Sequence, residues 1–383
     1  MKKIIQFIVL TTIFSILTSI TTYAEDKIKI GLIVPLSGEH KEIGESILNS
    51  VRLAINKIDN SKIVIIPKDT KSNPEQTLKV SKELYQAGVK IILGPVFNKN
   101  LVYLGELNEI FFISFTNKIL NNPNNVIAAG INAVSQIKTI SKFQKLSNLE
   151  RSVFLIPNSN FRNEIEEAIS STKIKLKDTF IYDTDPTILT AQIEKLTRYA
   201  QRKQRLKDEI ERIKNSEQIN KEKIITSLEK KDTLGGINFD SVIIADFDES
   251  LKSVTTSLLY TDVSSKRVHY ICMNQWFDKS LLKEKSLQPI YFPSVNKKNY
   301  EEYVNEYLNI FNKYPNQISF LSYDLVGLLY FLLFDNDFVI DKKIFYKKNR
   351  FKGKIGIFEI NKNKITHLLN FYSAENGKFK KIF

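Results

Sequence analysis

The chain has 383 residues, which is too long for one ordinary domain and suits two. Its apolar content of 43% supports a real hydrophobic core and excludes a globally disordered protein. The formal charge is +14, but no DNA- or RNA-binding signature accompanies it, so we expect no nucleic acid partner.

The first 24 residues have the pattern of an export signal. Lys2 and Lys3 precede an apolar run at 4–20, and Thr22 and Ala24 place small residues before a cleavage point. An uncleaved anchor is the alternative, because about 17 apolar residues are near the lower limit for spanning a bilayer. No other stretch has the pattern of a span, and no cysteine follows the run. We therefore expect a periplasmic protein that is not a lipoprotein and has no stable membrane span after signal cleavage.

Short apolar runs then alternate with amphipathic stretches. The run at 28–34 is rich in β-branched residues, stops at a Pro-Leu-Ser-Gly turn and leads into a helix that reaches residue 58. Asn73 and Pro74 are a helix N-cap and first helical residue, and Gly88 ends that helix. The pattern predicts a parallel sheet covered by helices on both faces. Its further strands are predicted at 62–66, 89–93, 111–115 and 126–129, and its further helices at 74–87 and 100–110.

The alternation of apolar runs and amphipathic stretches restarts near residue 131 and predicts a second α/β lobe. A tail that alternates apolar and polar residues, at 355–360, 366–372 and 378–382, indicates antiparallel hairpins. The strands predicted after residue 131 are 152–156, 176–182, 240–245, 268–272 and 288–292. The helices predicted there are 131–146, 161–169, 249–260, 300–312 and 319–334, and the last two are amphipathic.

The stretch 188–234 does not follow this alternation, because it is highly charged and has no glycine or proline. Its apolar spacing predicts two long helices joined near 215–220, the first of about 26 residues and roughly 39 Å in length. We interpret it as an inserted helical hairpin; the alternative is a solvated helix packed along the second lobe. Acids such as Asp208 and Glu211 are mixed with the bases, which is typical of an exposed helix.

Catalytic and metal-binding patterns are missing from the sequence. His40, His269 and His367 are not at metal-ligand spacing, and the lone Cys272 follows an apolar strand, where a structural thiol is favoured over a nucleophile. The motifs GxSxG, HExxH, GxxxxGK[ST] and GxGxxG do not occur. We therefore expect neither an enzyme nor a bound cofactor or metal.

Polar and aromatic side chains instead follow the predicted strands. Each alone is typical of a helix cap, but the carboxyl ends of parallel strands meet at one edge, so together they predict a ligand cleft. The candidate ligand-binding residues are Ser37, Asn98, Ser114, Thr116, Asn117, Phe161, Phe247, Asp248, Asn274, Gln275 and Trp276. Trp276 either faces the ligand or covers the hinge.

Four segments, LIVPLSG, DTKSNPE, ILGPVFN and FFISFTN, occur in this order and spacing. They resemble type I periplasmic binding proteins of the leucine/isoleucine/valine-binding class. The resemblance implies an α/β fold of two Rossmann-like lobes joined by three crossovers. It also implies a small polar or amino-acid-like ligand in the cleft, released to ABC permease subunits. The expected division is a signal peptide at 1–24, lobe I at 25–142 and 293–336, lobe II at 143–292 and 337–383, and the helical insertion at 188–234 within lobe II.

Some of the candidates match positions of that family's ligand contacts in lobe I. Asn98 stands where the family usually has a serine that contacts the ligand carboxylate. Ser114 and Thr116 fall in the strand-end segment that supplies further carboxylate and ammonium contacts.

The lobe II positions depart further from the family pattern. Phe161 stands where the family usually has a tyrosine followed by glycine, and Phe247 or Asp248 matches another aromatic clamp. Asn274 or Gln275 stands near an acid that pairs with the ligand ammonium. The resemblance therefore implies a ligand cleft but leaves its amino-acid specificity open.

The same fold also resembles the binding-protein-like domain of penicillin-binding protein activators, which act through a peptidoglycan synthase. The helical insertion and the altered cleft positions favour a protein partner of that kind. Two functions therefore stay open: a solute receptor of an ABC importer, and a regulator of peptidoglycan synthesis.

Overall fold

The computed structural model describes residues 27–58 and 62–383, so the expected signal peptide at 1–24 lies outside the described residues. The described chain forms three sheets of five, seven and three strands. We call the five-stranded sheet with its helices lobe I and the seven-stranded sheet with its helices lobe II. Both lobes are α/β, as predicted.

The lobe I sheet is parallel throughout, in the order β2-β1-β3-β4-β5. Strand β1 lies inside the sheet, with Leu32 paired to Pro67 on one side and Leu93 on the other. This position explains why β1 is a nearly continuous apolar run. The strands are β1 (Ile28–Val34), β2 (Ile63–Asp69), β3 (Ile91–Leu93), β4 (Phe111–Ser114) and β5 (Val126–Ala128), and the first two helices are α1 (Lys41–Ile58) and α2 (Pro74–Gln86).

Helix α2 begins and ends as predicted. The Asn73 side chain accepts a hydrogen bond from the Gln76 N–H at 2.7 Å, and Gly88 has a φ of 86° after the last turn. The helix predicted at 100–110 is wrong, because the structure has two short 3₁₀ turns at Asn98–Leu101 and Leu104–Glu106. Leu101 and Leu104, one in each turn, are both buried.

The lobe II sheet has the order β15-β14-β10-β9-β8-β6-β7. Strands β6 to β10 run parallel, and two strands near the C-terminus, β14 (Asn370–Glu375) and β15 (Lys378–Lys381), add an antiparallel edge. The carboxyl ends of β6 to β9 therefore meet at one edge. The elements are α3 (Ala133–Leu146), β6 (Ser152–Pro157), α4 (Arg162–Thr172), β7 (Asp178–Tyr182), α5 (Pro186–Thr197), α6 (Tyr199–Lys214), α7 (Lys221–Glu229), β8 (Ser241–Ile244), α8 (Asp248–Tyr260), β9 (His269–Cys272) and β10 (Ile290–Ser294).

The helical insertion differs from the expected pair of long helices. The chain turns at Arg198, whose φ is 53°, so the 26-residue helix is divided into α5 and α6. Helix α5 packs on the lobe II core through Leu189 and Ile193. Helices α6 and α7 instead form a hairpin with its own small cluster, built by Leu206, Ile213 and Leu228. We call residues 199–231 the helical arm.

The tail forms two separate units rather than one set of hairpins. The predicted strand 366–372 is divided between β13, which lies in the three-stranded sheet, and β14, which lies in the lobe II sheet. Strand β11 was not predicted. The small sheet packs into the lobe I core through Phe358 and Ile365. The remaining elements are α9 (Lys297–Phe311), α10 (Gln317–Phe334), β11 (Asn349–Lys352), β12 (Ile357–Asn361), β13 (Lys364–Leu368), β14 (Asn370–Glu375) and β15 (Lys378–Lys381).

Three passages between the lobes, near 129–132, 294–296 and 368–370, confirm the crossovers that the resemblance implies. The first and third are tied together. His367 Nε2 is 2.9 Å from the Ala129 carbonyl oxygen, and Asn132 Nδ2 donates to the Ile365 carbonyl at 2.9 Å. The hinge region is therefore a buried, hydrogen-bonded layer.

Helix α10 is the central helix of lobe I. It is apolar almost all round, and 61% of its residues are buried. It is the one described helix long and apolar enough to span a bilayer, which corrects the expectation that only the N-terminal run has this pattern. The predicted amphipathic character is also wrong, because α10 packs on α1 and shares a core with the small sheet.

Candidate functional site

Ser37 lies in the loop after β1 and is held by a carboxylate from the next strand. Its Oγ donates to Asp69 Oδ2 at 2.5 Å, and the Leu36 N–H donates to Asp69 Oδ1 at 2.8 Å. Burial alone would raise the pKa of Asp69, but the hydrogen bonds from Ser37 and from the N–H groups of Lys71 and Leu36 outweigh it and hold that pKa below its ordinary value. The loop is thus pre-formed around a charged carboxylate.

The other lobe I candidates follow β3 and β4. Ser114 is fully buried, and its Oγ donates to the Pro95 carbonyl at 2.7 Å, so it holds the neighbouring loop. Thr116 is 5% exposed and accepts a hydrogen bond from the Lys118 N–H. Asn98 is half-buried, and its Nδ2 donates to Asn122 Oδ1 at 3.3 Å. The Asn117 side chain is exposed and makes no hydrogen bond within the described part of the chain.

Lobe II presents two exposed aromatic rings and an acid at its strand ends. Phe161, before α4, is 44% exposed, and Phe247, before α8, is 40% exposed. Asp248 is exposed beside Asp246, whose carboxylate accepts a hydrogen bond from the Tyr182 hydroxyl at 2.7 Å. Burial raises the pKa of Asp246, and the charge of Asp248 adds to this while Tyr182 opposes it. The Phe247 and Asp248 side chains are exposed to solvent.

The candidates after β9 are largely occupied within the protein. Asn274 Oδ1 accepts hydrogen bonds from Ser294 Oγ at 2.8 Å and from the Trp276 N–H at 3.0 Å. Gln275 Nε2 donates to the Met273 carbonyl at 3.0 Å. Trp276 is half-buried against the lobe I core, with its ring centroid 6.3 Å from that of Tyr300. Trp276 therefore lies at the junction of the lobes, and its role stays a prediction.

The two lobes touch directly at the strand ends. Glu164 of α4 is 8% exposed, and its carboxylate accepts hydrogen bonds from the N–H groups of Ile119 at 3.1 Å and Leu120 at 2.9 Å in the loop after β4. We call this contact the interlobe clasp. Beside it, Lys118 Nζ lies 5.1 Å from the centroid of the Phe161 ring. The clasp and this cation–π contact hold the two edges face to face.

The structure therefore brings some of the candidates together and uses others elsewhere. Phe161 meets the lobe I loop that carries Thr116 and Asn117, whereas the side chains of Ser114, Asn274 and Gln275 hold backbone. Sequence reasoning missed Lys118 and Glu164. Lys118 directly follows a candidate in a strand-end loop, which was a usable signal. Glu164 lies in an ordinary charged helix turn and offered none. The role of each candidate in ligand binding stays a prediction.

Residues 27–58 and 62–383 contain no evident site for metal binding or thiol chemistry. No three His, Cys, Asp or Glu side chains of this part of the chain are grouped so as to hold a metal ion. Cys272 is fully buried at the end of β9, and burial raises the pKa of its thiol far above the ordinary value. The thiol is therefore protonated and inaccessible, as a structural role requires.

Comparison with known proteins places the chain in a familiar fold. Residues 27–172 match the family model described as periplasmic binding protein. No curated protein matches the chain significantly. The chain has the fold of type I periplasmic binding proteins, because solved structures of that fold superpose on nearly all of it.

Three of these structures illustrate the range of proteins that share the fold. A putative branched-chain amino acid ABC transporter protein from Rhodospirillum rubrum is 10% identical, with a TM-score of 0.70 and coverage of 93% of this chain and 100% of that one. The LpoA C-domain from Haemophilus influenzae, described as a regulator of PBP1A, is 13% identical, with a TM-score of 0.60 and coverage of 93% and 100%. The leucine-binding protein LivK from Thermotoga maritima is 12% identical, with a TM-score of 0.57 and coverage of 93% and 98%.

Proposed function

We propose that this protein is an exported solute-binding protein that encloses a small polar, amino-acid-like ligand between its two lobes. One observation carries the proposal: the strand-end loops of the two lobes face each other and are joined by the interlobe clasp and the Lys118–Phe161 contact. A ligand placed there would be desolvated by closure of the lobes. The fold shared with a leucine-binding protein supports the same role.

The charges of the side chains at this edge suit a zwitterion. Lys118 offers a cation to a carboxylate, and Asp248 offers an exposed anion to an ammonium group. Phe247 and Asn117 add an apolar face and an amide. The closed form would then be read by ABC permease subunits in the periplasm, to which the expected signal at 1–24 would direct the chain. The proposed role is binding rather than catalysis.

Calorimetry and thermal shift against the common L-amino acids and small amides test the proposal. We expect one class of ligand to bind, and D248N to weaken an ammonium-bearing ligand by about tenfold or more, because a charge-assisted hydrogen bond contributes about 1.5–3 kcal/mol. The control is D208N, an equal change on an exposed turn of the helical arm. No binding across the whole panel would reject the solute receptor.

A second function, regulation of a peptidoglycan synthase, is favoured by the helical arm. The arm has a small core of its own, and Ile219 at its tip is fully exposed. The LpoA C-domain, which shares the fold, is a regulator of PBP1A. A protein that acts through a partner needs such a projecting surface more than it needs a complete ligand pocket.

The geometry of the arm's base allows a clean deletion. The Leu234 N–H donates to the Arg202 carbonyl at 3.1 Å, so residues 203–231 can be replaced by a short Gly-Ser linker without moving the ends apart. The buried Arg202 guanidinium, bonded to Thr261 and Thr233, should keep the base folded. Capture of a purified synthase by the whole protein but not by this variant, with unchanged thermal unfolding, would support regulation. Equal capture would exclude a role for the arm.

A further inference from the structure

A large groove lies beside the strand-end site, between the two lobes. Its volume is about 840 Å³, within the range of ligand-binding cavities. It is bounded on the lobe I side by the loop 119–124, β5 and the three-stranded sheet, and on the lobe II side by α3 and α4. None of the eleven candidate residues lines it, so it is distinct from the site proposed above.

The interlobe clasp separates the groove from the strand-end site. The N–H groups of Ile119 and Leu120 donate to Glu164, while both residues also line the groove. Glu167 and Ser171, one and two turns further along α4, line the groove as well. Both lobes therefore contribute to its walls.

The rim of the groove is basic. Five basic and two acidic side chains line it, which gives a formal charge of +3. Arg350 is paired with Glu359 at 2.6 Å. The four lysines form no ion pair with any residue in the described part of the chain, so their charges are available to an anionic ligand. These four are Lys138, Lys348, Lys362 and Lys364.

The floor of the groove is apolar and is built partly by sheet edges. Ile119, Val126, Ile360 and Ile365 are among the residues that line it. The outer edge of β13 is already occupied, because the Ile365 carbonyl accepts from Asn132 Nδ2 and the His367 N–H donates to Ser135 Oγ. Strand β5 is the last strand of the lobe I sheet. An outer edge strand can offer backbone N–H and C=O groups to another extended chain.

We propose that this groove binds an acidic peptide in an extended conformation. Successive side chains of an extended peptide point to opposite sides, so a peptide that alternates acidic and apolar residues would place carboxylates at the lysine rim and apolar groups on the floor. The edge of β5 would pair with its backbone. A bare inorganic anion would use the lysines but leave the apolar floor exposed to water. The inference does not depend on a ligand in the strand-end site.

Calorimetric titration of the whole protein with the blocked peptide Ac-Glu-Val-Glu-Val-NH2 tests this at low salt. We expect binding that weakens by about tenfold or more in the variant K138E/K364E, because two attractions become repulsions. Binding should also weaken as salt is added, since both lysines are exposed. The uncharged peptide Ac-Gln-Val-Gln-Val-NH2 should bind at least about tenfold more weakly, because it lacks the carboxylates that the lysines attract.

The control variant is K223E/K230E, which makes the same charge change on exposed lysines in the arm and should leave the affinity unchanged. The lysines changed in the two variants are all exposed: Lys138, Lys364, Lys223 and Lys230. Circular dichroism with thermal unfolding checks that each variant is folded. Absence of binding, equal binding by K138E/K364E and the control, or equal binding of the two peptides would overturn the proposal.

Peptide ends distinguish the two sources of such a ligand. If Glu-Val-Glu-Val with free termini binds more tightly than the blocked form, the groove takes a free oligopeptide solute. If the blocked form binds at least as well, the groove takes an acidic segment within a longer protein chain, which has no free termini at that point. Either result supports an acidic peptide and assigns its source.

Discussion

Two buried carboxylates bind a distant loop in the same way but in different parts of the molecule. Asp324 of α10 accepts the N–H groups of Lys354 at 2.9 Å and Ile355 at 2.6 Å, within lobe I. Glu164 of α4 accepts two consecutive N–H groups at similar distances, but from the other lobe. Both carboxylates make the same kind of hydrogen bond, but Asp324 acts within one lobe and Glu164 acts between the two lobes.

The difference in location decides what each carboxylate controls. Asp324 is 2% exposed and can lose its partners only if lobe I unfolds. A Cβ at Gly353 would lie 2.3 Å from Asp324 Oδ2, so the loop backbone packs directly against the carboxylate. Glu164 can lose its partners when the lobes separate, with each lobe intact, and water then replaces them. The first contact should set the stability of lobe I, and the second the balance between closed and open forms.

Removal of the Asp324 carboxylate should have the largest effect. In D324A two buried backbone N–H groups lose their acceptors, and the side chain leaves a small cavity. We expect a loss of about 3–5 kcal/mol in the free energy of unfolding. Urea denaturation followed by circular dichroism measures it.

The matched control is D208A, which removes an exposed carboxylate from the arm and should change the free energy of unfolding by less than about 0.5 kcal/mol. D324N keeps one acceptor oxygen and turns an amide N–H toward the second donor. Its free energy of unfolding should therefore lie between those of D324A and D208A. A D324A variant as stable as the control would show that water reaches the loop at 353–355.

Neither carboxylate's role could be predicted from the sequence, whereas most of the fold could. Strands such as β1 and caps such as Asn73 depend on neighbouring residues, and local patterns record them. The partners of Glu164 lie 44 and 45 residues away and are backbone groups, which every residue has. For the same reason Ser114 had the pattern of a ligand contact but binds the Pro95 carbonyl. Strand-end position was predictable, and side-chain direction was not.

Asp324 and His367 should give opposite dependences of stability on pH. Burial raises the pKa of Asp324 to about 6, and burial lowers the pKa of His367 to about 4. The stability that Asp324 contributes is present below its ordinary pKa and is lost as the pH rises through about 6. That of His367 is present above its ordinary pKa and is lost as the pH falls toward about 4. Each of these two pKa shifts corresponds to a change of about 3 kcal/mol in the free energy of unfolding.

Urea denaturation at several values of pH between 4 and 7 separates the two contributions. The stability of the wild-type protein minus that of D324N should fall as the pH rises, whereas the wild-type value minus that of H367Q should rise. His367 packs against the Phe358 ring at 4.6 Å and binds Ala129, so H367Q retains a polar group near the hinge. Equal slopes for both variants would contradict the assignment.

Removal of the Glu164 carboxylate should change the closure of the lobes more than it changes their stability. In E164A we expect the closed form to weaken by about 1–2 kcal/mol, or roughly tenfold in population, with little change in unfolding. Fluorescence energy transfer between dyes on V102C in lobe I and S170C in lobe II measures the separation. Both sites are exposed, and Cys272 is fully buried, so only the new cysteines should react.

E167A is the matched control for this experiment, because it removes an exposed glutamate from the next turn of the same helix. E164Q retains one acceptor and should give an intermediate separation. If E164A lowers the unfolding free energy as much as D324A does, the clasp is part of the folded core, and the contrast between the two carboxylates fails.

The smallest effect should come from the Lys118–Phe161 contact, which lies beside the clasp but outside its buried part. Phe161 is 44% exposed, so water competes for the Lys118 ammonium group and the pair should contribute only about 0.5–1 kcal/mol to closure. A double-mutant cycle with K118A and F161L, read by the same pair of dyes, isolates this energy from the loss of each side chain. The two changes should be less than additive in the wild-type background and should remain so in E164A if the pair acts independently of the clasp. Full additivity would show that the Lys118–Phe161 contact contributes nothing to closure.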